Sequence, residues 1–482
     1  MNVVFIDIAT YEHPLSGSHG QLHRARRLAS DMVAEKVMQV PLSGGKIAFS
    51  RGMLLLASLV KAEGARVSYI HYNLESHYSL TRAFKKADIV CFYAMTPTVN
   101  TCLRLATIAK KINNRLSVAF GGPHTSTQAE PLLSSGVVDF VSYAETSPSL
   151  LARALLERAS WKDCPGIGFR EAEDMYLTQV NPPDNTKHEA FYPLDYSILP
   201  LPLDTYYFNI SASQGCGYTC NFCSDGTRPL SLRSVDDFIS EVRFLDTNLP
   251  AGSWVHFFDS IFTAPQSRAK VICERLASET HNLSFSCDIK ANHLTEDLAK
   301  ILKKARVRFI SMGFETSDDL TLNVSDKKNS FDECYSTAQI LKGAYENCAL
   351  KAYWLFGLPG STPAGAVSDL KHIEHLLDKG IVDIVGPKCF VPYPETIFHQ
   401  TPERFGLKIL SKNWDDYDRF HIPPVAIPDG FTQSMLADCL IKAEEIVLTK
   451  YCQRMNTTPD SLIKSELRPK RYNGELYSRI VP

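Results

Sequence analysis

Nowhere in its 482 residues does this chain carry a run of eighteen or more apolar side chains, so no membrane-spanning helix is expected. Neither charge is in excess: 51 basic residues stand against 53 acidic ones, a balance that argues against a polyanion-binding stripe or a long disordered tail. The opening residues, MNVVFIDIATYEH, lack a basic flank, and Asp7 interrupts the apolar run. They read as a first strand, and no signal peptide is expected. Also missing are a Walker loop, a Gly-x-Gly-x-x-Gly turn, a Ser/His/Asp spacing and a His-x-x-x-His pair in suitable context, which removes the commonest nucleotide-binding, acyl-transfer and zinc-hydrolase chemistries. Repeats and low-complexity tracts are absent too. The short basic run Arg468–Arg471 has only Tyr472 beside it and reads as a solvated terminus rather than a nucleic-acid patch.

What is present looks globular. Apolar residues at 44% and charged residues at 22% are ordinary for soluble domains, and the length allows about three of them. Of the thirteen cysteines, most, among them Cys91, Cys273, Cys287, Cys348 and Cys439, fall inside apolar periodic segments, where a free thiol packs as a small hydrophobe. A reducing, cytoplasmic compartment is therefore expected. From residue 48 onward, β-branched runs alternate with amphipathic helical patterns, for example strand 88–94, helix 98–113 and strand 116–121. That alternation predicts parallel strands joined by crossover helices, a doubly wound α/β domain over residues 1–160. Prolines 182, 183, 193, 200 and 202 mark residues 161–205 as a linker. Alternation resumes over 206–395 with about six βα units, which fits a partial parallel (β/α)6 barrel whose site lies at the C-terminal ends of its strands. Residues 396–482 lose the pattern and are expected to form a mixed cap, with an aromatic stretch at Trp414, Tyr417, Phe420 and one helix at 434–449.

One dense cluster stands apart. In SQGCGYTCNFCSDG, Cys216, Cys220 and Cys223 follow a strand at C-x3-C-x2-C spacing on a Gly-rich loop. Three thiols are one short of a structural zinc set, and no nearby His completes it. Three thiolates that leave one iron of an iron–sulfur cluster open are the better fit; a zinc knuckle completed by a distant residue and three unligated thiols are the alternatives. The segment resembles the signature of the radical S-adenosylmethionine (SAM) superfamily. The resemblance implies a [4Fe–4S] cluster held by these three cysteines, SAM chelated to the fourth iron, and a 5′-deoxyadenosyl radical made by reductive cleavage. It continues in order along the chain. Phe222 matches the aromatic position near the adenine, with ordinary packing as the competing reading. Asp259, in DSIFT after the strand WVHFF, matches a turn that meets the methionyl part of SAM. Lys290, in CDIKANHLT, stands where relatives usually carry Arg and is a candidate carboxylate partner. Glu315, in ISMGFETS, matches a strand end that meets the SAM amino group or ribose, and Gly357, in YWLFGLPG, matches the turn beside the adenine.

In the first domain, GGPHTS (Gly121–Ser126) follows a strand and opens a helix, and its glycines permit close approach of a ligand. With the segment Ser142–Thr146 (SYAET) and the helix RGMLLLASLVKAEG, it resembles the cobalamin-binding domain fused ahead of the barrel in one branch of radical SAM enzymes. Gly121, Gly122 and His124 are then candidate cobalamin neighbours. Two occupancies stay open, a corrin-loaded domain and an emptied scaffold, because YAETS lacks the family's glycines and no Asp-x-His-x-x-Gly motif occurs; His124 also reads as a helix cap.

The resemblance implies an enzyme that cleaves SAM, abstracts hydrogen from a small molecule such as a sugar or natural-product intermediate, and transfers a methyl group from methylcobalamin. The alternatives are a radical dehydratase, cyclase or rearrangement enzyme with an empty first domain, of the aminoglycoside diol-dehydratase type, and a redox sensor whose cluster is regulatory. The partners implied are the substrate and an external electron donor of flavodoxin or ferredoxin type, with no nucleic acid and no membrane.

Overall fold

A computed structural model of the chain describes residues 1–8, 17–42, 46–144, 146–180 and 194–466. Glu145, Pro182, Pro183, Pro193 and the Arg468–Arg471 run lie outside these residues. The first sheet has seven strands: β1 (Asn2–Asp7), β2 (Arg66–His71), β3 (Ile89–Tyr93), β4 (Ser117–Gly121), β5 (Phe140–Ser142), β6 (Ile167–Glu171) and β7 (Asp174–Leu177). Their order is β2-β1-β3-β4-β5-β6-β7, with the first five parallel, β6 antiparallel to β5 and β7 antiparallel to β6. The strand order reverses between β1 and β3, which makes their C-terminal ends a switch point. Side chains alternate across the sheet: Val4, Ile6, Val90, Phe92, Val118 and Phe120 enter one core, and Val3, Phe5, Cys91 and Ala119 the other. Burial on both faces is why these strands read as nearly unbroken apolar runs.

β6 and β7 correct the expected linker at 161–205. They form a hairpin on the sheet edge, with Ile167 and Phe169 fully buried. The turn between them, Glu171-Ala-Glu-Asp174, holds Ala172 at φ +54° without the Asn or Gly that normally signals such a turn. The connector therefore starts only after the hairpin.

The second sheet has six parallel strands in chain order: Phe208–Ile210, Trp254–Phe257, Ser284–Ile289, Val307–Glu315, Ala349–Phe356 and Ile384–Cys389. This is a partial (β/α)6 barrel. Its fifth strand shows the pattern that builds it: Leu350, Ala352, Trp354 and Phe356 are buried, while the alternate residues Lys351, Tyr353 and Leu355 are half-buried and face the interior. The apolar core runs without a break from the first sheet into the barrel shell. Phe49 meets Tyr206 and Phe208 edge-on at 5.6 and 5.7 Å, and Arg51 grips Glu241 through two hydrogen bonds of 2.6 and 2.8 Å. Among the described residues no helix is long and apolar enough to cross a membrane.

Helix Gly17–Met38 leaves its own sheet and packs on helix Gln433–Met455 and the last barrel strands. Glu444, with no exposed surface, sits at that contact. It accepts from His23 Nδ1 at 2.6 Å and from Arg26 Nε at 3.2 Å, and His19 Nε2 lies 3.2 Å from its other oxygen. Burial pushes the carboxyl upward, yet His19, His23 and Arg26 together hold it well below its ordinary 4.5. Its contribution to stability is thus present above pH 4.5 and lost as the pH falls below it. Glu444→Gln is expected to cost about 3–5 kcal/mol at neutral pH, because Arg26 is left buried and unpaired. Melting curves should show a lower midpoint at pH 7 and a flatter decline into acid than the parent; equal slopes would contradict this assignment.

Candidate active site

The first barrel strand ends at Ile210, and Ser213–Gln214 then pairs antiparallel with Ser231–Leu232, pinching off the loop that carries the three cysteines. Gly215 makes the entry turn at φ +71°, and a Cβ there would fall 2.1 Å from the Pro229 carbonyl oxygen. Inside the loop the Cys216 N–H donates to the Arg228 carbonyl and the Cys223 N–H to the Cys220 carbonyl, both at 3.0 Å. Asn221 ties the loop to the turn after helix Asp319–Val324, its N–H donating to the Ser325 carbonyl (3.0 Å) and its Nδ2 to that of Val324 (2.8 Å). All three thiols are free and half-buried, whereas the remaining cysteines, Cys439 apart, are buried. Burial pushes the Cys216 and Cys220 thiols up and that of Cys223 to about 12, so each keeps its proton until a metal displaces it. Gly215→Ala is expected to strain this turn and lower the iron retained per chain after anaerobic reconstitution. Undiminished iron would show that the turn does not shape the loop.

Asp259 is buried at the end of the second barrel strand, and burial lifts its carboxyl to about 6. Its oxygens accept from the Ala212 N–H (3.1 Å) and the Ser213 hydroxyl, so it braces the entry to the cysteine loop. Lys290 donates to the Lys328 carbonyl (2.8 Å) and Asn329 Oδ1 (2.9 Å), with its ammonium 4.6 Å from the Tyr218 ring centre. Glu315, buried at φ +66°, pairs through Oε1 with Lys327 Nζ at 2.8 Å. Gly313 makes room for that carboxylate, since a Cβ there would sit 2.1 Å from Oε1. A non-glycine residue held left-handed at a strand end is the kind of strain that persists only where its surroundings fix it.

Lys327 is the residue that motif reasoning missed. Burial alone would discharge it, but Glu315 keeps its ammonium charged, and it lies 5.6 Å from the Phe222 ring centre. In sequence it belongs to the polar run SDKKNS, and its only signal is a position twelve residues beyond Glu315. Phe222 is half-buried against the apolar cluster of Leu358, Phe390 and Phe398. Gly357, at φ +84°, turns its bare face to Leu436, whose Cδ1 a Cβ would meet at 2.9 Å, so helix packing requires it. The structure thus gathers Cys220, Phe222, Glu315 and Lys327 at one place. Asp259 is joined to the strand leading into the cysteine loop, and Lys290 lies beside the loop's Tyr218.

In the first domain the GGPH turn follows β4, one strand over from the switch point. Gly122, at φ +112°, packs against the end of β3, where a Cβ would fall 2.7 Å from the Ala94 oxygen. Gly121 is open by contrast: a Cβ there would meet only Ser142 Cβ, at 3.9 Å. His124 is buried, with Nδ1 3.1 Å from Thr96 Oγ1, and burial holds its imidazole near 4. The ring of Trp414, from the cap, lies edge-on to it at 4.9 Å. Asn413 accepts at 3.0 Å from Asn100 Nδ2, tying the cap to the same domain.

Comparison with known proteins decides the family. The B12 binding domain profile matches residues 42–151 and the radical SAM superfamily profile residues 210–372. The chain belongs to the radical SAM superfamily, in the branch with a B12-binding domain ahead of the barrel. An uncharacterized methyltransferase of Pyrococcus horikoshii is 25% identical over 408 residues, 81% of this chain and 86% of the relative. The anaerobic magnesium-protoporphyrin IX monomethyl ester cyclase of Rubrivivax gelatinosus is 21% identical, covering 73% of this chain and 64% of its own. The radical S-adenosylmethionine methyltransferase TsrM of Kitasatospora setae, solved with cobalamin and a [4Fe-4S] cluster, shares the fold at 13% identity, with a TM-score of 0.67 over 92% of this chain and 88% of that one. This radical SAM chain is accordingly an enzyme, and the sensor reading falls away.

The residues present suit the cofactors of the family, a [4Fe–4S] cluster, SAM and cobalamin. Among the described residues no three His, Cys, Asp or Glu side chains converge as they would on one metal ion; a four-iron cluster that takes one thiolate per iron needs its ligands further apart. Cys216, Cys220 and Cys223 would hold that cluster. The open shelf formed by Gly121 and Ser142 at adjacent strand ends is what a ligand lying on the first domain requires.

Proposed function

We propose that this enzyme methylates a carbon of a small molecule, using SAM as radical source and cobalamin as methyl carrier. The observation that carries this reading is the meeting of Cys220, Phe222 and the pair of buried Glu315 and half-buried Lys327 beside a loop of three free thiols, in a chain that also presents the Gly121 shelf. When bound, the cluster and SAM supply a radical that abstracts hydrogen, and methylated cobalamin supplies the methyl group. The protein's own work is to place and shield these groups. Glu315, fixed in its strained backbone by Lys327, offers Oε2 to the amino group or ribose of SAM, and Phe222 offers an apolar face to the adenine. Lys290 lies beside the loop with donors for a carboxylate. An external low-potential donor of flavodoxin or ferredoxin type delivers the electron.

A second reading, a radical dehydratase, cyclase or rearrangement enzyme with an empty first domain, is favoured by Trp414 lying on His124. Reconstituted protein, incubated anaerobically with hydroxocobalamin, SAM, a strong reductant and candidate substrates, separates the two. Retained corrin and a product heavier by one CH2 unit support methylation. SAM cleavage with no retained corrin and a product that loses water or hydrogen supports the second reading, and the absence of any 5′-deoxyadenosine would defeat both.

A further inference from the structure

We propose that the barrel interior takes a substrate bearing an anionic group, a carboxylate or a phosphate, and holds that group between Lys351 and Lys388. This rests on the reading that the substrate is a small molecule. Lys351 and Tyr353 are inward-facing on the fifth barrel strand and Lys388 on the sixth. The two ammonium groups flank one aromatic ring, 4.9 and 4.4 Å from the centre of Tyr353. Gly386 gives them space: a Cβ there would meet Lys351 Cε at 3.0 Å and Tyr353 Cδ1 at 3.8 Å. Strand register sets Asp288, Ser311 and Lys351 at one level on three neighbouring strands.

Neither lysine makes a hydrogen bond or ion pair among the described residues. Other half-buried lysines do find carboxylates: Lys110 pairs with Asp139, Lys327 with Glu315 and Lys342 with Asp383. An enclosed cation without a partner is costly unless a ligand supplies one. The charges acting on Lys388 are Arg419 and Lys351 on one side and Glu315 and Asp288 on the other, and Glu315 is already paired. Lys351 also feels Arg26 and Arg419, with Asp288 and, more weakly, Asp31 opposing them; the carboxylate acting on both lysines is thus Asp288, whose buried Oδ1 has no hydrogen-bond partner among the described residues. Burial pulls Lys351 down to about 8 and Lys388 well below its ordinary value, a penalty that a bound anion removes. Asp288 is left to accept from a hydroxyl or amine on the same ligand.

The test uses full-length, anaerobically reconstituted protein saturated with SAM, titrated calorimetrically with inorganic phosphate and, separately, with succinate. One probe or both should bind saturably, and Lys351→Met and Lys388→Met should each weaken binding about ten-fold or more. Binding of phosphate alone assigns a phosphate ester, and of succinate alone a carboxylate. No saturable binding with or without SAM, or binding unchanged in both variants, would overturn the proposal; binding seen only in a parallel titration without SAM would also overturn it, by giving the lysines to SAM itself. Cluster absorbance and melting temperature confirm that each variant is folded, and Lys351→Gln, which also removes the charge, stands in if the methionine variant is not. Formation of 5′-deoxyadenosine by the parent protein is scored independently. Its absence with anion binding intact removes only the functional reading, and the reverse removes only this one.

Discussion

Replacing Cys216, Cys220 and Cys223 together by alanine is expected to abolish iron retention and reduce 5′-deoxyadenosine formation to background, while the fold persists. Little that shapes the loop depends on sulfur. Its entry is turned by Gly215, its middle is tied down by Asn221, and its leading strand is braced by Asp259. The thiols are also half-exposed, so truncating them opens no core cavity, and the change in stability should stay within about 1 kcal/mol. Cys287 and Cys348 should behave in the opposite way. Both are fully buried, and alanine there should lower the melting temperature and leave the iron content alone. Iron assays, anaerobic product analysis and thermal melts on these two sets of variants form one experiment. SAM cleavage by the triple variant at the parental rate would place the cluster elsewhere.

Glu315→Gln should produce the second-largest loss. It removes the charge that offsets Lys327, and the half-buried lysine is then left without a counter-charge. It also removes a charged acceptor that the bound SAM would use. A hydrogen bond to a charged group is worth about 1.5–3 kcal/mol, so SAM affinity should fall about ten- to a hundred-fold. The destabilisation from Lys327 can be separated by combining the change with Lys327→Met. The double variant should recover thermal stability, because no unpaired charge is left, and should not recover SAM binding. Recovery of both would make the pair structural; recovery of neither would mean that the strained backbone at residue 315, rather than its charge, is what matters.

The cysteine loop could be found from sequence because its chemistry is local: three thiols and three glycines within a dozen residues specify what they wrap. Glu315 and Asp259 were found because the segments around them resemble motifs of the radical SAM superfamily, and both fall just after expected strands. Lys327 was hidden, since it reaches Glu315 only when the short helix Asp319–Val324 doubles the chain back, and a polar run looks like surface until that return is known. The β6–β7 hairpin was hidden for another reason. Its turn uses Ala172 in a left-handed conformation, which no composition rule flags. The alternation of strands and helices did predict both sheets, because in parallel α/β units each element buries against the next along the chain. Long-range docking has no such signature. Trp414 belongs to the aromatic stretch of the expected cap, and nothing in the residues around it points to His124.

The contact between Glu444 and His23 joins positions 421 residues apart. At about 5–20 residues per second of synthesis, helix Gly17–Met38 waits roughly 20–80 s on the ribosome before its partner exists. For that interval its His23 and Arg26 side chains have no carboxylate to meet, and the barrel wall that they brace is unfinished. The cysteine loop emerges halfway through the same interval, so iron and sulfur are expected to reach it while the barrel is still open. Docking of helix Gln433–Met455 is then the event that closes the structure, and termination between the cysteine loop and residue 444 would yield chains able to collect metal but unable to seal it in.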